Sequence, residues 1–121
     1  MNWDILLAAM IMVESGGDPL AEGDGGASWG ALQIQMGVVQ DVNRWYGTEY
    51  NSYARYSVTS SKMIAKRWLT KRMRDAGIAT GLAENYEMAA RLWNGGYRGY
   101  LHNRRATDNY WAKVKKEIEN F

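Results

Sequence analysis

The sequence predicts a mainly α fold of the α+β kind, a single domain over residues 1–121 in which a small β-hairpin sits among helices arranged around a buried central helix. Three observations predict it. An apolar run from Ile5 to Val13 lies between a capping residue, Asn2, and a helix stop, Ser15-Gly16-Gly17. Later segments space their apolar residues at helical intervals. A glycine-rich stretch, Leu20 to Ser28, separates the first helix from the rest and supplies the glycines that a hairpin or tight loop requires.

The first helix is expected from Trp3 to about Glu14, with Asp4 in its first turn. It is apolar on every face, as a helix buried in the middle of a domain would be. From Gly30 to about Tyr46, residues Ala31, Leu32, Ile34, Val38, Val39, Val42 and Trp45 fit a helical face, and a polar loop follows. An amphipathic helix is expected from Thr59 to Ala76, with Met63, Ile64, Trp68, Leu69 and Met73 inward, Lys and Arg outward and Gly77 as its stop. Another runs from Leu82 to Trp93 and ends at Asn94-Gly95-Gly96, after which His102 reads as a loop residue. The last starts at Thr107-Asp108 and carries Tyr110, Trp111, Val114 and Ile118. There is no internal repeat, linker or low-complexity tract.

Composition narrows the function classes. A chain of 121 residues buries about two-thirds of its unfolded surface and folds without a metal or disulfide. With no cysteine and a single histidine, His102, there is no thiolate or histidine cluster, so no metal and no cofactor is expected. The apolar run Ile5–Val13 falls well short of the roughly 20 residues that span a bilayer. The start lacks a basic n-region and a cleavage site, so synthesis in a cytoplasm without a signal peptide is expected. A net charge of +2 is too small to imply nucleic acid, though it suits an anionic polymer. Six Trp and eight Tyr against one Phe favour flat rings with a polar handle, used at wet interfaces and sugar sites, although most such rings pack a core.

Glu14 is an odd place for a charge. It follows the apolar run at the C-terminal end of a helix, where the macrodipole disfavours a negative group, and burial acts in the same direction. Both raise a carboxyl pKa toward the range of a general acid. The same position also fits the solvated end of a helix.

Fragments along the chain carry a resemblance. Val13-Glu14-Ser15-Gly16-Gly17, then Gly30-Ala31-Leu32-Gln33-Ile34, then Leu92-Trp93-Asn94-Gly95-Gly96 resemble in order the lysozyme-like superfamily, including its soluble lytic transglycosylases. The chain is most similar within it to the invertebrate-type (destabilase) lysozymes. That likeness adds Asp24 in Gly23-Asp24-Gly25-Gly26, Tyr97-Arg98-Gly99 after the Asn-Gly-Gly turn, and Asn109-Tyr110-Trp111. It departs from them in lacking cysteine, in Trp93 where they usually carry His and in Tyr97 where they usually carry Pro, which looks more like a phage or bacterial member.

The resemblance implies a lysozyme-like fold and a muramidase, a monomer acting on bacterial peptidoglycan glycan strands at the cell wall or periplasm. Glu14 would protonate the oxygen between N-acetylmuramic acid and N-acetylglucosamine. Asp24 would be the second catalytic carboxylate, with Asp18 and Glu22 as alternatives. A retaining hydrolase holds its two carboxyls about 5 to 5.5 Å apart, whereas a lytic transglycosylase needs no second carboxylate and leaves a 1,6-anhydro product. Ser15, Gln33, Trp93, Asn94, Tyr97 and Arg98 would bind substrate or position Glu14. Gln33 and Asn94 also fit the role of amides tying helices together, and Trp29 and Tyr100 flank the same motifs as candidate stacking rings. Two rivals stand beside this reading: a non-catalytic wall-binding module, and a small DNA-binding protein using Lys62, Lys66, Arg67, Lys71, Arg72 and Arg74, whose binding would fall steeply with salt.

Overall fold

The computed structural model describes residues 1–78 and 85–121. Among these it is mainly helical, with five α-helices and a small three-stranded antiparallel sheet, and no helix is long and apolar enough to cross a membrane. Helix α1 (Trp3–Ser15) starts where the capping residue placed it: Asn2 Oδ1 accepts the Ile5 amide at 3.2 Å. Its burial is one-sided. Leu6, Leu7, Ala9 and Met10 are buried while Met12 is 49% exposed, so the expectation of a helix covered on every face does not hold. An all-apolar sequence does not choose which face is covered; packing does.

The chain divides into two compact units, the first formed by Met1–Val13 with Leu69–Phe121 and the second by Glu14–Trp68. In the first unit, α3 (Val58–Asp75) ends in a Schellman turn: Gly77, at φ 73°, donates to the Arg74 carbonyl at 3.0 Å and Ile78 to that of Met73 at 2.8 Å. The expected helix start at Leu82 lies outside the described residues. Helix α4 (Asn85–His102) breaks at Gly96, with φ 74° and ψ 174°, where the sequence placed a stop, but then resumes. His102 therefore ends a helix and is not a loop residue. Gly95 has a separate reason to be glycine, because a Cβ there would come 2.8 Å from Thr107 Cγ2.

Helix α5 (Asp108–Glu119) buries Tyr110 and Val114. Arg91 clasps this region, donating to Glu87 Oε2 at 2.9 Å, Asp108 Oδ1 at 2.7 Å, Thr107 Oγ1 at 3.0 Å and the Arg104 carbonyl at 3.0 Å. Burial opposes its charge, but the hydrogen bonds to Asp108 and Glu87 outweigh that and hold its pKa above the ordinary value.

The second unit holds the sheet, β1 (Glu22–Gly23), β2 (Ser28–Trp29) and β3 (Ile34–Gln35) in that order. Glu22 pairs with Trp29, and Trp29 with Ile34. The expected hairpin is there, with a 3-10 turn at Asp24–Gly26, but a third strand joins it and α2 runs only from Met36 to Tyr46. The helix expected from Gly30 starts late because Gly30 (φ 86°) and Gln33 (φ 51°) adopt left-handed backbone, which an α-helix cannot contain. Leu32 and Ile34 are fully buried all the same, from a turn and a strand.

Gly47 closes α2 at φ 67° by donating to the Asn43 carbonyl. A second 3-10 turn, Ser52–Tyr56, interrupts the expected polar loop. The Asn51 side chain caps it by accepting the amides of Tyr53 and Ala54. In this unit's part of α3 the buried stripe is Ser61, Ile64, Ala65 and Trp68, at i, i+3, i+4 and i+7, which leaves Met63 40% exposed and not inward as expected.

Gly30 is the tightest position in the second unit, since a Cβ built on it would run into the backbone carbonyl of Arg55. Gly37, in α2, meets nothing within 4 Å. Gly30→Ala is expected to destabilise by more than about 2 kcal/mol, from left-handed strain plus the clash. Gly37→Ala is expected to be neutral or to stabilise by about 0.5–1 kcal/mol through helix propensity. Urea unfolding of the two variants, read as midpoint shifts of opposite sign or as one loss and no change, checks the pair.

Candidate functional site: the end of the first helix and an arginine-anchored hairpin

Glu14 and Ser15 occupy the last turn of α1. Glu14 is half-buried, less than the sequence implied. Ser15 Oγ donates to the Ala31 carbonyl at 2.8 Å and accepts the Gly17 amide at 3.2 Å. The helix end that carries Glu14 is thereby tied to the turn between β2 and β3.

The three carboxylates left open by the sequence have distinct surroundings. Asp18 is exposed and accepts the Leu20 amide at 2.9 Å, closing the turn around Pro19. Glu22 accepts the Tyr56 hydroxyl at 2.6 Å. Asp24 opens the 3-10 turn in left-handed backbone (φ 51°), is exposed, and accepts the buried Ser28 hydroxyl through Oδ2 at 2.6 Å. Of the three, Asp24 is held by a buried donor and still faces solvent.

Gln33 lies in a turn, not in the helix the sequence assigned to it. Its amide nitrogen donates to the carbonyls of Ala21 at 3.1 Å and Gly30 at 3.0 Å. Its Oε1 packs where a Cβ on Gly23 would stand. Gln33 thus ties β1 to the turn before β3. Trp93, Asn94, Tyr97 and Arg98 lie on α4 around Gly96, in the first compact unit, whereas Glu14, Ser15, Asp24 and Gln33 share the second. Asn94 and Arg98 are exposed, and Trp93 is half-buried. Tyr97 donates to the Asp75 carbonyl at 3.3 Å, with the Arg72 guanidinium 5.2 Å from its ring centroid. Tyr100 is buried, its hydroxyl against Met88 Sδ at 3.2 Å.

Sequence reasoning missed the residue that organises this hairpin. Arg55 is 4% exposed and donates to the carbonyls of Ser52 at 2.9 Å, Ile34 at 3.0 Å and Ala27 at 3.3 Å. Its guanidinium lies 3.9 Å from the centroid of the Trp29 ring, which stacks on Tyr56 at 5.0 Å and 11° and meets Tyr53 at 6.0 Å. Burial lowers the Arg55 pKa, opposed by Tyr56. The one available signal was an Arg between two Tyr in Ser52-Tyr53-Ala54-Arg55-Tyr56, which no periodicity separates from a solvated loop. Among the described residues no group of three or more His, Cys, Asp or Glu is placed to hold a metal ion.

The Tyr56 hydrogen bond to Glu22 raises the phenol above its ordinary value of 10.0, helped by desolvation and by the Glu22 charge. Because the folded pKa is raised, the stabilisation is fully present below about pH 10 and is lost as pH rises through the folded value. Ultraviolet titration of the tyrosines should show a late-ionising phenol that disappears in Tyr56→Phe, and the variant should lose less stability above pH 10 than the parent.

The chain matches no family model, no curated protein and no solved structure, so the chemistry of this site rests on its own residues.

Proposed function

We propose that the chain is a lysozyme-like muramidase that cuts the β-1,4 bond between N-acetylmuramic acid and N-acetylglucosamine in bacterial peptidoglycan, with Glu14 as general acid. The observation that carries this reading is the carboxyl of Glu14 at the end of an apolar helix whose next residue, Ser15, is fastened to Ala31. A proton donor needs a defined position more than it needs exposure, and this tether fixes the helix end that carries it. The motif resemblance supports the same assignment.

Asp24 is the second carboxylate of the proposal. In a retaining hydrolase a carboxylate near the anomeric carbon stabilises the oxocarbenium-like transition state or bonds to it. The Ser28 hydroxyl orients Asp24 through Oδ2, and the glycines that follow, Gly25 (φ 67°) and Gly26 (φ 94°), let the chain turn sharply there. Ser15 and Gln33 act in this reading by holding the helix end and the hairpin in place.

Glu14→Gln keeps volume and removes the ionisable acid, so clearing of purified peptidoglycan should fall by roughly 100- to 10,000-fold. An active Glu14→Gln protein overturns the mechanism. Asp24→Asn tolerates the same backbone and still offers Ser28 an acceptor, so it is expected to keep its melting temperature while losing activity by orders of magnitude. Mass analysis of released muropeptides separates the chemistries: reducing ends support the hydrolase, whereas 1,6-anhydro ends with an active Asp24→Asn assign a transglycosylase in which Glu14 acts alone.

A further inference from the structure

The turn from α4 into α5 carries charge and apolar surface that the proposed cleavage does not use. A helix lying on a core buries every third or fourth residue, yet the six residues from Leu101 to Ala106 are all exposed, so this corner projects within the first unit. Leu101, 48% exposed, stands on it one helical turn after Arg98, and Arg104 and Arg105 follow. Arg104 braces the corner by donating to the Tyr100 carbonyl at 3.0 Å with its guanidinium 4.1 Å from the Tyr100 ring centroid. From Arg98 to Lys116 the chain places six Arg and Lys, all exposed, against one acid, Asp108. That acid is already paired. Asp108 meets Arg91 at 2.7 Å, which also holds Glu87, while the carboxylate of Asp75, whose carbonyl accepts Tyr97, sits on Lys71 and Arg72. The side chains of Arg98 and Arg105 make no hydrogen bond or ion pair with another described residue.

We propose that this corner is a peripheral docking surface for an anionic lipid bilayer, with Leu101 entering the headgroup region and Arg98, Arg104 and Arg105 on the lipid phosphates. Two features select a bilayer over a soluble polyanion such as nucleic acid. A phosphodiester chain rewards cations alone, whereas a leucine at the tip gains only where it leaves water, as it does between lipid headgroups. The cations are also spread over α4, the 3-10 turn Arg104–Thr107 and α5, which pack on one another, with Lys113, Lys115 and Lys116 on the last. An extended negative surface meets more of that charge than a single bound anion can. Neither Glu14 nor Asp24 takes part, so this docking stands apart from the muramidase reading.

Sedimentation of the whole protein with vesicles of phosphatidylglycerol and phosphatidylcholine in equal parts tests the docking, with pure phosphatidylcholine vesicles as the neutral control. The protein should sediment with the anionic vesicles alone, and less as salt is raised. Arg105→Gln is expected to weaken this binding about fivefold and Leu101→Ser about tenfold, each with an unchanged melting temperature because the side chains are exposed. The chain has no cysteine, so Leu101→Cys can carry a single environment-sensitive dye, and the same dye on Leu20→Cys, an exposed leucine of the second unit, is its control. Anionic vesicles should shift the emission of the dye at Leu101 to the blue and leave that at Leu20 unchanged. No sedimentation with anionic vesicles, equal shifts of the two dyes, or vesicle binding that neither substitution weakens overturns the docking. Arg105-dependent binding that Leu101→Ser leaves unchanged, matched by binding to polyphosphate, assigns the corner to a soluble polyanion and equally overturns it. Wall clearing by Glu14→Gln removes the muramidase and leaves these outcomes as they are.

Discussion

The buried guanidinium of Arg55 is the constraint on which the Glu14–Trp68 unit depends. Taking a guanidinium out of water costs several kcal/mol. Hydrogen bonds with a charged donor contribute about 1.5–3 kcal/mol each, and Arg55 makes them to Ser52, Ile34 and Ala27. These acceptors belong to the 3-10 turn, to β3 and to the residue before β2. A sheet whose strands are two residues long has few ladder bonds of its own. The arginine supplies the cross-links that the ladder lacks, and the close approach of its carbonyl to Gly30 fixes the turn where β2 leaves the sheet.

The other unit is organised the same way. Arg91 reaches from α4 to Glu87, to the turn at Arg104 and Thr107, and to Asp108 at the start of α5. Gly95 lets α4 pass against Thr107, and Gly96 ends its first stretch. The Asn94-Gly95-Gly96 motif therefore has a packing reason independent of any substrate. Here the glycines serve the fold, and Asn94 and Arg98 beside them are exposed.

The chemistry proposed for the site uses position more than unusual electrostatics. Ser15 fixes the helix end that bears Glu14, and Ser28 fixes Asp24, each through one short hydrogen bond. Glu14 is half-buried and Asp24 is exposed.

The sequence by itself determined the helices with long apolar periods and their stops. Asn2, Gly77 and Gly96 act locally, through a cap or a left-handed residue, so neighbours a few positions away suffice to read them. It also marked Glu14 and the Asp24 hairpin as candidates. Tertiary structure alone decided that Gly30 to Gln35 is a turn and a strand, because those residues answer to the Arg55 carbonyl and to the Ala21 carbonyl bound by Gln33, partners many positions away. It likewise decided which face of α1 is covered and that Arg55 is buried. Apolar periodicity records how a segment partitions between water and core, and it carries no information about which distant polar atom a buried guanidinium will find.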